Sequence, residues 1–123
     1  MTTIQLGSIL LGTTDPERLR AWYAEAFAPK TDEYGWMDFG GFGVLVDRRD
    51  DVADRTAEPG RVILDFHVDD ARAVADHLTG MGVSWLVELE EREHGLFGTL
   101  LDPDGNYIQI IQLDEDHLAE REE

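Results

Sequence analysis

The sequence predicts an α+β protein built from two βαβββ-like modules, each about 60 of the 123 residues long. Three observations predict this fold class. The same helix-start chemistry occurs twice, at Asp15 and at Asp70, 55 residues apart. A short apolar strand precedes each helix start, and further strands follow each helix. Placing Asp15 on Asp70 also superposes the flanking apolar positions, such as Leu11 on Phe66, as an internal repeat should.

The first half opens with an apolar strand and a clearly marked helix. Residues 4–12 are short and apolar, and Asp15-Pro16-Glu17 follows them. Asp15 suits the capping position before the helix, and Pro16 suits the first helical position. The negative charge of Glu17 suits the positive end of the helix dipole. Apolar residues then recur with helical spacing, at Leu19, Trp22, Tyr23, Ala26 and Phe27. These features predict a helix of about three turns after the strand.

The rest of the first module predicts two strands and a linker. Residues 34–47 are aromatic and β-branched around Gly40-Gly41, which is typical of two short strands joined by a tight turn. Residues 48–60 are acidic and poor in apolar side chains, which predicts a linker. The first module therefore covers about residues 4–58.

The second half repeats this order within a single domain. The sequence predicts a helix that begins at Asp69-Asp70 and is closed by Gly80 and Gly82. Strands are predicted at 62–68, 83–89, 95–101 and 107–113, with a turn of the Pro-then-Gly kind at 102–105. The second module covers about residues 61–113, and the acidic tail 114–123 is predicted to form a frayed helix.

Charge excludes several classes of partner. The chain has 27 acidic and 10 basic residues, a net charge of −17, while 42% of it is hydrophobic. This composition is globular, and so acidic a surface disfavours nucleic acid and anionic membranes. The charge favours cationic small molecules, although solubility alone would also explain it.

The sequence shows neither cysteine chemistry nor an N-terminal targeting segment. The sequence has no cysteine, which excludes disulfides and thiolate metal sites. Residues 1–11 have neither a basic region nor an apolar stretch approaching the roughly 20 residues of a membrane span. We therefore expect a cytoplasmic protein.

Three strings carry a family resemblance that covers about residues 4–113. The most specific is Asp102-Pro103-Asp104-Gly105-Asn106-Tyr107-Ile108-Gln109-Ile110, and the others run from Ser8 to Asp15 with Trp22-Tyr23, and from Phe66 to Asp70. Together they resemble the vicinal oxygen chelate superfamily, which includes glyoxalases, bleomycin-resistance proteins and extradiol dioxygenases. The resemblance implies two βαβββ modules whose sheets curl around a shared cavity, usually in a homodimer.

The resemblance also implies where a metal would be held. The four ligand positions of metal-dependent members fall at Ser8, Leu45, Ile63 and Gln109. Leucine and isoleucine offer no lone pair to a divalent metal, so we expect no metal and no other cofactor at this site. The four histidines, His67, His77, His94 and His117, show no metal-binding spacing beyond a trivial pair in the tail.

Strand alternation assigns polar side chains to the cavity face that the resemblance implies. Asp65 and His67 share one face of their strand, Leu6, Ser8 and Leu10 one face of the first strand, and Tyr107, Gln109 and Ile111 one face of the last. In one interpretation Asp65 binds a ligand cation or orients His67 as a base. In the other, Asp65 and His67 pair with each other or with an arginine and bind nothing.

Aromatic side chains supply candidate ligand-stacking surfaces. Trp36 is predicted to share a strand face with Tyr34 and Asp38, and the three would form one wall. A core or dimer-interface position explains Trp36 equally well. Trp85 is a weaker candidate, and Trp22 belongs to the apolar side of the first helix.

Three functions remain open. The leading hypothesis is a metal-free binding protein of the bleomycin-resistance type, a homodimer that sequesters an aromatic compound, with a cationic one favoured by the charge. Its ligand-binding residues would be Ser8, Tyr34, Trp36, Asp38, Asp65, His67, Tyr107 and Gln109. The alternative is an enzyme of natural-product or small-metabolite metabolism that uses Asp65 and His67 as an acid–base pair, or a metal enzyme with ligands elsewhere. The third is a structural or regulatory module with a vestigial cavity.

Overall fold

The computed structural model describes residues 2–114, which form two compact units divided between Asp54 and Arg55. The first unit contains β1 (Ser8–Thr13), α1 (Pro16–Phe27), β2 (Lys30–Thr31), β3 (Trp36–Phe39) and β4 (Phe42–Arg48). Its strands form one sheet in the order β1-β4-β3-β2. β1 runs parallel to β4, and the other neighbours are antiparallel.

The local sequence sets both ends of α1. The Asp15 carboxylate accepts a 3.2 Å hydrogen bond from the Arg18 amide, and Pro16 opens the helix as predicted. Ala28 ends the helix in the left-handed conformation, with φ of 45°. Leu19, Tyr23 and Ala26 of α1 are buried, together with Met37, Val44 and Val46 of the sheet. These side chains form the core of the first unit and leave the other face of the sheet without a helix.

The second unit repeats the arrangement. It contains β5 (Leu64–His67), α2 (Ala71–Gly80), β6 (Ser84–Arg92), β7 (Gly95–Leu101) and β8 (Tyr107–Leu113). The sheet order is β5-β8-β7-β6, with β5 parallel to β8. The Asp70 side chain accepts from the Ala73 amide, and the Gln112 side-chain oxygen accepts from the Ala71 amide, so two side chains cap the start of α2.

A buried carboxylate closes the turn between β7 and β8. Asp102, which is 4% exposed, accepts hydrogen bonds from the Asp104 amide, the Asn106 amide and the Asn106 side chain at 2.9, 3.0 and 2.8 Å. Gly105 has φ of +84°, a conformation that glycine adopts without strain. The loop before β5 packs here too, since the Thr56 amide donates to the Asp104 carbonyl. This turn sets the start of β8.

The predicted fold class is confirmed, although the first strand is shorter than predicted and one short strand was not predicted. The strand predicted from Ile4 begins only at Ser8, and Leu6, expected on the inner face, precedes it and is 82% exposed. β2 was not predicted, because two residues without an apolar pattern become a strand only by pairing with Met37 and Asp38. The tail helix predicted for 114–123 lies almost entirely outside the described residues.

Neither helix of the described chain could cross a membrane. α1 has 12 residues and α2 has 10, whereas a span needs about 20 predominantly apolar residues.

Candidate functional site

Each sheet has one face that packs on its helix and one that does not, which we call the open face. In a sheet, residues paired in register on neighbouring strands share a face. On the first sheet, Ser8, Gly43 and Asp38 form one row of the open face, and Leu10, Leu45 and Trp36 form the next. The open face thus carries an apolar row beside a polar one.

Trp36 is the largest side chain on the first open face. A β-carbon built on Gly43 would lie 3.4 Å from Cε3 of Trp36 and 3.5 Å from Cβ of Ser8. The edge of the indole therefore lies against Gly43 of β4, at a distance that would put a β-carbon in ordinary van der Waals contact with the ring. Trp36 remains 36% exposed, and Leu10 in the same row is 47% exposed. Contiguous exposed apolar groups of this kind mark a surface suited to a ligand or partner.

Two predicted neighbours of Trp36 are placed differently from expectation. The prediction that Tyr34 shares its strand is wrong, because β3 begins at Trp36 and Tyr34 lies in the preceding turn. The Asp32 carboxylate accepts hydrogen bonds from the amides of Tyr34 and Trp36 at 2.9 and 3.0 Å. These local hydrogen bonds stabilise a turn at the position where a strand was predicted. Asp38 does share the open face, but its carboxylate accepts from the Gly41 amide at 2.6 Å and so stabilises the β3–β4 turn.

The second open face has a mostly polar row beside a row that mixes apolar and charged side chains. Asp65, Gln109, Thr99 and Val87 are paired across β5, β8, β7 and β6. The neighbouring row consists of His67, Ile111, Phe97 and Glu90. Two of the predicted residues, Asp65 and Gln109, are therefore direct neighbours on adjacent strands.

The Asp65 carboxyl on this face has a pKa that its surroundings shift. Burial raises the pKa of the Asp65 carboxyl, and the positive charge that His67 can carry opposes the shift. Within residues 2–114 neither side chain has a hydrogen-bond or ion-pair partner. Each is thus available to a ligand on the open face.

Replacing Asp65 with asparagine is expected to stabilise the protein at neutral pH. A carboxyl whose pKa is raised by folding binds its proton more tightly in the folded state, so its ionisation destabilises the fold as pH rises through that pKa. The amide of the Asp65→Asn variant does not ionise. The melting temperature of the variant should exceed that of the unmodified protein at pH 7, and the difference should shrink toward pH 3. A difference that is independent of pH would contradict this expectation.

Tyr107 and Gln109 of β8 both have contacts that orient them. A β-carbon built on Gly60 would lie 3.5 Å from the Tyr107 ring, so the loop before β5 covers one side of that ring. The Gln109 side-chain nitrogen donates a long hydrogen bond of 3.4 Å to the Thr99 hydroxyl. Thr99 is buried and was not predicted as a site residue, because only the register of β7 and β8 places it beside Gln109.

The four positions that would hold a metal do not fit one. Leu45 lies in the apolar row with Leu10 and Trp36, and Ile63 precedes β5. Ser8 and Gln109 are the two polar members of the set, and an alcohol and an amide alone are poor ligands for the divalent transition metals. Across residues 2–114 no group of three or more histidine or acidic side chains could hold a metal ion either.

Trp85 lies on the helix side of the second sheet and not on its open face. It pairs with the buried Leu100, and its indole nitrogen donates to the Thr79 hydroxyl of α2 at 3.1 Å. The ring lies against Gly98, where a β-carbon would come within 3.1 Å of it. The interpretation of Trp85 as a ligand-stacking residue is therefore wrong. Phe97, on the open face, is the aromatic residue that was missed, and the Arg92 guanidinium lies 5.3 Å from its ring centre.

Comparison with known proteins identifies relatives of this chain. The glyoxalase-like domain family matches residues 8–111. TnmS3, an antibiotic binding protein from Streptomyces sp. CB03234, is 22% identical with a TM-score of 0.68, covering 93% of this chain and 99% of that chain. A glyoxalase-related enzyme from Fulvimarina pelagi is 24% identical with a TM-score of 0.69, covering 88% and 87%.

A third structure supports the same fold. The glyoxylase/bleomycin resistance protein/dioxygenase domain from Frankia sp. EAN1pec is 16% identical with a TM-score of 0.73, and the alignment covers 92% of this chain and 100% of that chain. No curated protein matches the sequence. At these identities the likenesses show the fold, and the residues on the two open faces must carry any argument about function.

Proposed function

The chain belongs to the glyoxalase-like domain family of the vicinal oxygen chelate superfamily, and we propose that it binds and sequesters an aromatic, cationic small molecule without a metal. The observation that carries this proposal is the exposed indole of Trp36 above Gly43 on the first open face. The likeness to TnmS3, an antibiotic binding protein, supports it.

The first open face suits a planar ring. Leu10, Leu45 and Trp36 form an apolar row across three strands, and the polar Ser8 lies beside it. An aromatic ligand stacked on the indole would bury this row, and an indole also attracts a cation over its face. Tyr34, 77% exposed in the turn before β3, is proposed as a second contact.

The second open face suits a cationic or hydrogen-bonding group. The side chains of Asp65 and His67 have no partners among the described residues, and Gln109 lies next to Asp65. The net charge of −17 raises the local concentration of cations around the protein. Asp65, His67, Tyr107 and Gln109 are accordingly proposed to contact polar groups of a ligand on this face.

The proposal that binding needs no metal is supported by the residue types at the four implied ligand positions. Leu45 and Ile63 replace the ligands that metal-dependent relatives use, so binding in this chain would depend on stacking, burial and hydrogen bonds. Addition of EDTA should consequently leave ligand affinity unchanged.

One observation favours a metal-free enzyme as a second candidate. Asp65 has a raised pKa and lies two residues from His67 on the same face, an arrangement that could transfer a proton to or from a bound substrate. A binding protein would return its ligand unmodified after prolonged incubation, whereas an enzyme would yield a product of altered mass. Mass spectrometry of the recovered ligand therefore separates the two functions.

Replacing Trp36 with alanine is expected to weaken binding of an aromatic cation about tenfold. Loss of stacking and of the cation–π interaction together corresponds to roughly 1.4 kcal/mol. The measurement is calorimetric titration with planar aromatic natural products and with (anthracen-9-ylmethyl)trimethylammonium. Trp36→Phe should retain part of the affinity.

Trp22→Phe is the matched control. Trp22 lies on α1, where its ring packs edge-on against Tyr23 at 4.9 Å between ring centres, so this substitution should not change affinity. The proposed function fails if none of the compounds binds the unmodified protein, or if Trp36→Ala binds as tightly as the Trp22→Phe control.

A further inference from the structure

We propose that Asp65 and Gln109 form a recognition site for a primary ammonium group and that Thr99 sets its selectivity by orienting Gln109. This inference rests on the proposed function, because it specifies the cationic group of the ligand. Thr99 is a positioning residue in this site, whereas Asp65 and Gln109 contact the ammonium group.

The register of three adjacent strands brings these residues into one row. Asp65 of β5 pairs with Gln109 of β8, and Gln109 in turn pairs with Thr99 of β7. Residues in register on neighbouring strands lie on the same face, with the strands about 4.8 Å apart. The Gln109 side chain therefore has Asp65 on one side and Thr99 on the other.

Thr99 determines which end of the Gln109 amide is directed toward Asp65. The Gln109 Nε2 atom donates to Thr99 Oγ1, so the nitrogen end of the planar amide is turned toward β7. Oε1 then lies on the side nearer β5. Neither Asp65 nor the Gln109 Oε1 atom accepts a hydrogen bond from the described part of the chain. Two acceptors on adjacent strands thus receive no hydrogen bond from the described residues.

A primary ammonium group suits two acceptors carried by neighbouring strands. Two charge-assisted hydrogen bonds of about 2.8 Å that diverge at the tetrahedral angle join acceptors about 4.6 Å apart, close to the separation of neighbouring strands. The carboxylate also compensates the positive charge. A quaternary ammonium group has no N–H donor and cannot make either bond, so it gains only the charge attraction.

The test compares two cationic probes that carry the same anthracene ring. Protonated 9-(aminomethyl)anthracene has three N–H donors, whereas (anthracen-9-ylmethyl)trimethylammonium has none. The intact protein should bind the primary ammonium probe about tenfold more tightly, because a hydrogen bond to a charged group contributes about 1.5 kcal/mol or more. Thr99→Val keeps the shape of the side chain but removes the hydroxyl, and it should reduce this preference to about twofold. Thr99→Ser retains the hydroxyl and should restore the preference.

Several outcomes would overturn the inference without affecting the proposed function. The first is equal affinity of the intact protein for the two probes, and the second is a preference that persists in Thr99→Val. The third is an equal loss of affinity for both probes in Thr99→Val, which would indicate a general structural role of Thr99. Gln109→Leu provides a second variant and should reduce the preference at least as far as Thr99→Val does. If neither probe binds although aromatic natural products do, the ammonium site is likewise overturned. If no compound of any kind binds, the proposed function itself fails.

Discussion

Replacing Gly95 with alanine is expected to lower the free energy of unfolding by about 2–5 kcal/mol. Gly95 opens β7 with φ of +150° and pairs with Leu113 of β8. A β-carbon built at this position would collide with the carbonyl oxygen of Gln112. Because backbone atoms cannot rotate away as a side chain can, β8 would have to shift and weaken its pairing with β7.

Urea denaturation followed by circular dichroism measures this loss. Gly41→Ala is the matched control, since Gly41 also has a positive φ, of +98°, but a β-carbon there would meet nothing within 4 Å. The control should lose only about 1 kcal/mol, the cost of the left-handed conformation. Equal losses in the two variants would show that β7 and β8 adapt to the added methyl group, contrary to this prediction.

Replacing Asp102 with alanine is expected to cost about 3 kcal/mol of stability and to weaken ligand binding. The buried carboxylate accepts hydrogen bonds from the Asp104 amide and from both the amide and the side chain of Asn106. Without it these donors lose a charged acceptor in a turn that water reaches poorly, and donors left unsatisfied cost about 1–3 kcal/mol each. Tyr107 begins β8 directly after this turn, so the positions of Tyr107 and Gln109 depend on it.

Asp32→Ala provides the comparison for Asp102. Asp32 accepts from two backbone amides in much the same way, but its turn is exposed, so water can replace the carboxylate. Its removal should cost about 1 kcal/mol or less, as measured by urea denaturation of both variants. An Asp102→Ala variant as stable as Asp32→Ala would contradict the role assigned to the buried turn.

Local chemistry was sufficient to predict both helices and most strands. Asp15 and Asp70 cap their helices as the sequence indicates, because a capping side chain and the amide it accepts from lie three residues apart. The face assignment of Asp65, Gln109 and Trp36 follows from alternation along a strand, which also depends only on neighbouring residues.

Elements that depend on distant pairing escaped prediction. β2 exists because Lys30 and Thr31 pair with β3. Trp85 faces α2 because it pairs with the buried Leu100, and the irregular pairing after it places Val87 on the opposite face. An extra residue in one strand moves the side chains that follow it to the opposite face of the sheet, so simple alternation then predicts the wrong face. Tyr34 was misplaced for a local reason, since the Asp32 side chain competes for the amides that a strand would use.

The sequence by itself determined the α+β class, the two βαβββ modules and the helix starts. Each of these depends on the type of a residue or on its near neighbours along the chain. Only the tertiary structure decided that the indole of Trp36 lies against Gly43 and that Thr99 lies beside Gln109. Both contacts join residues on different strands, and the register between strands is set by packing and pairing across the whole sheet.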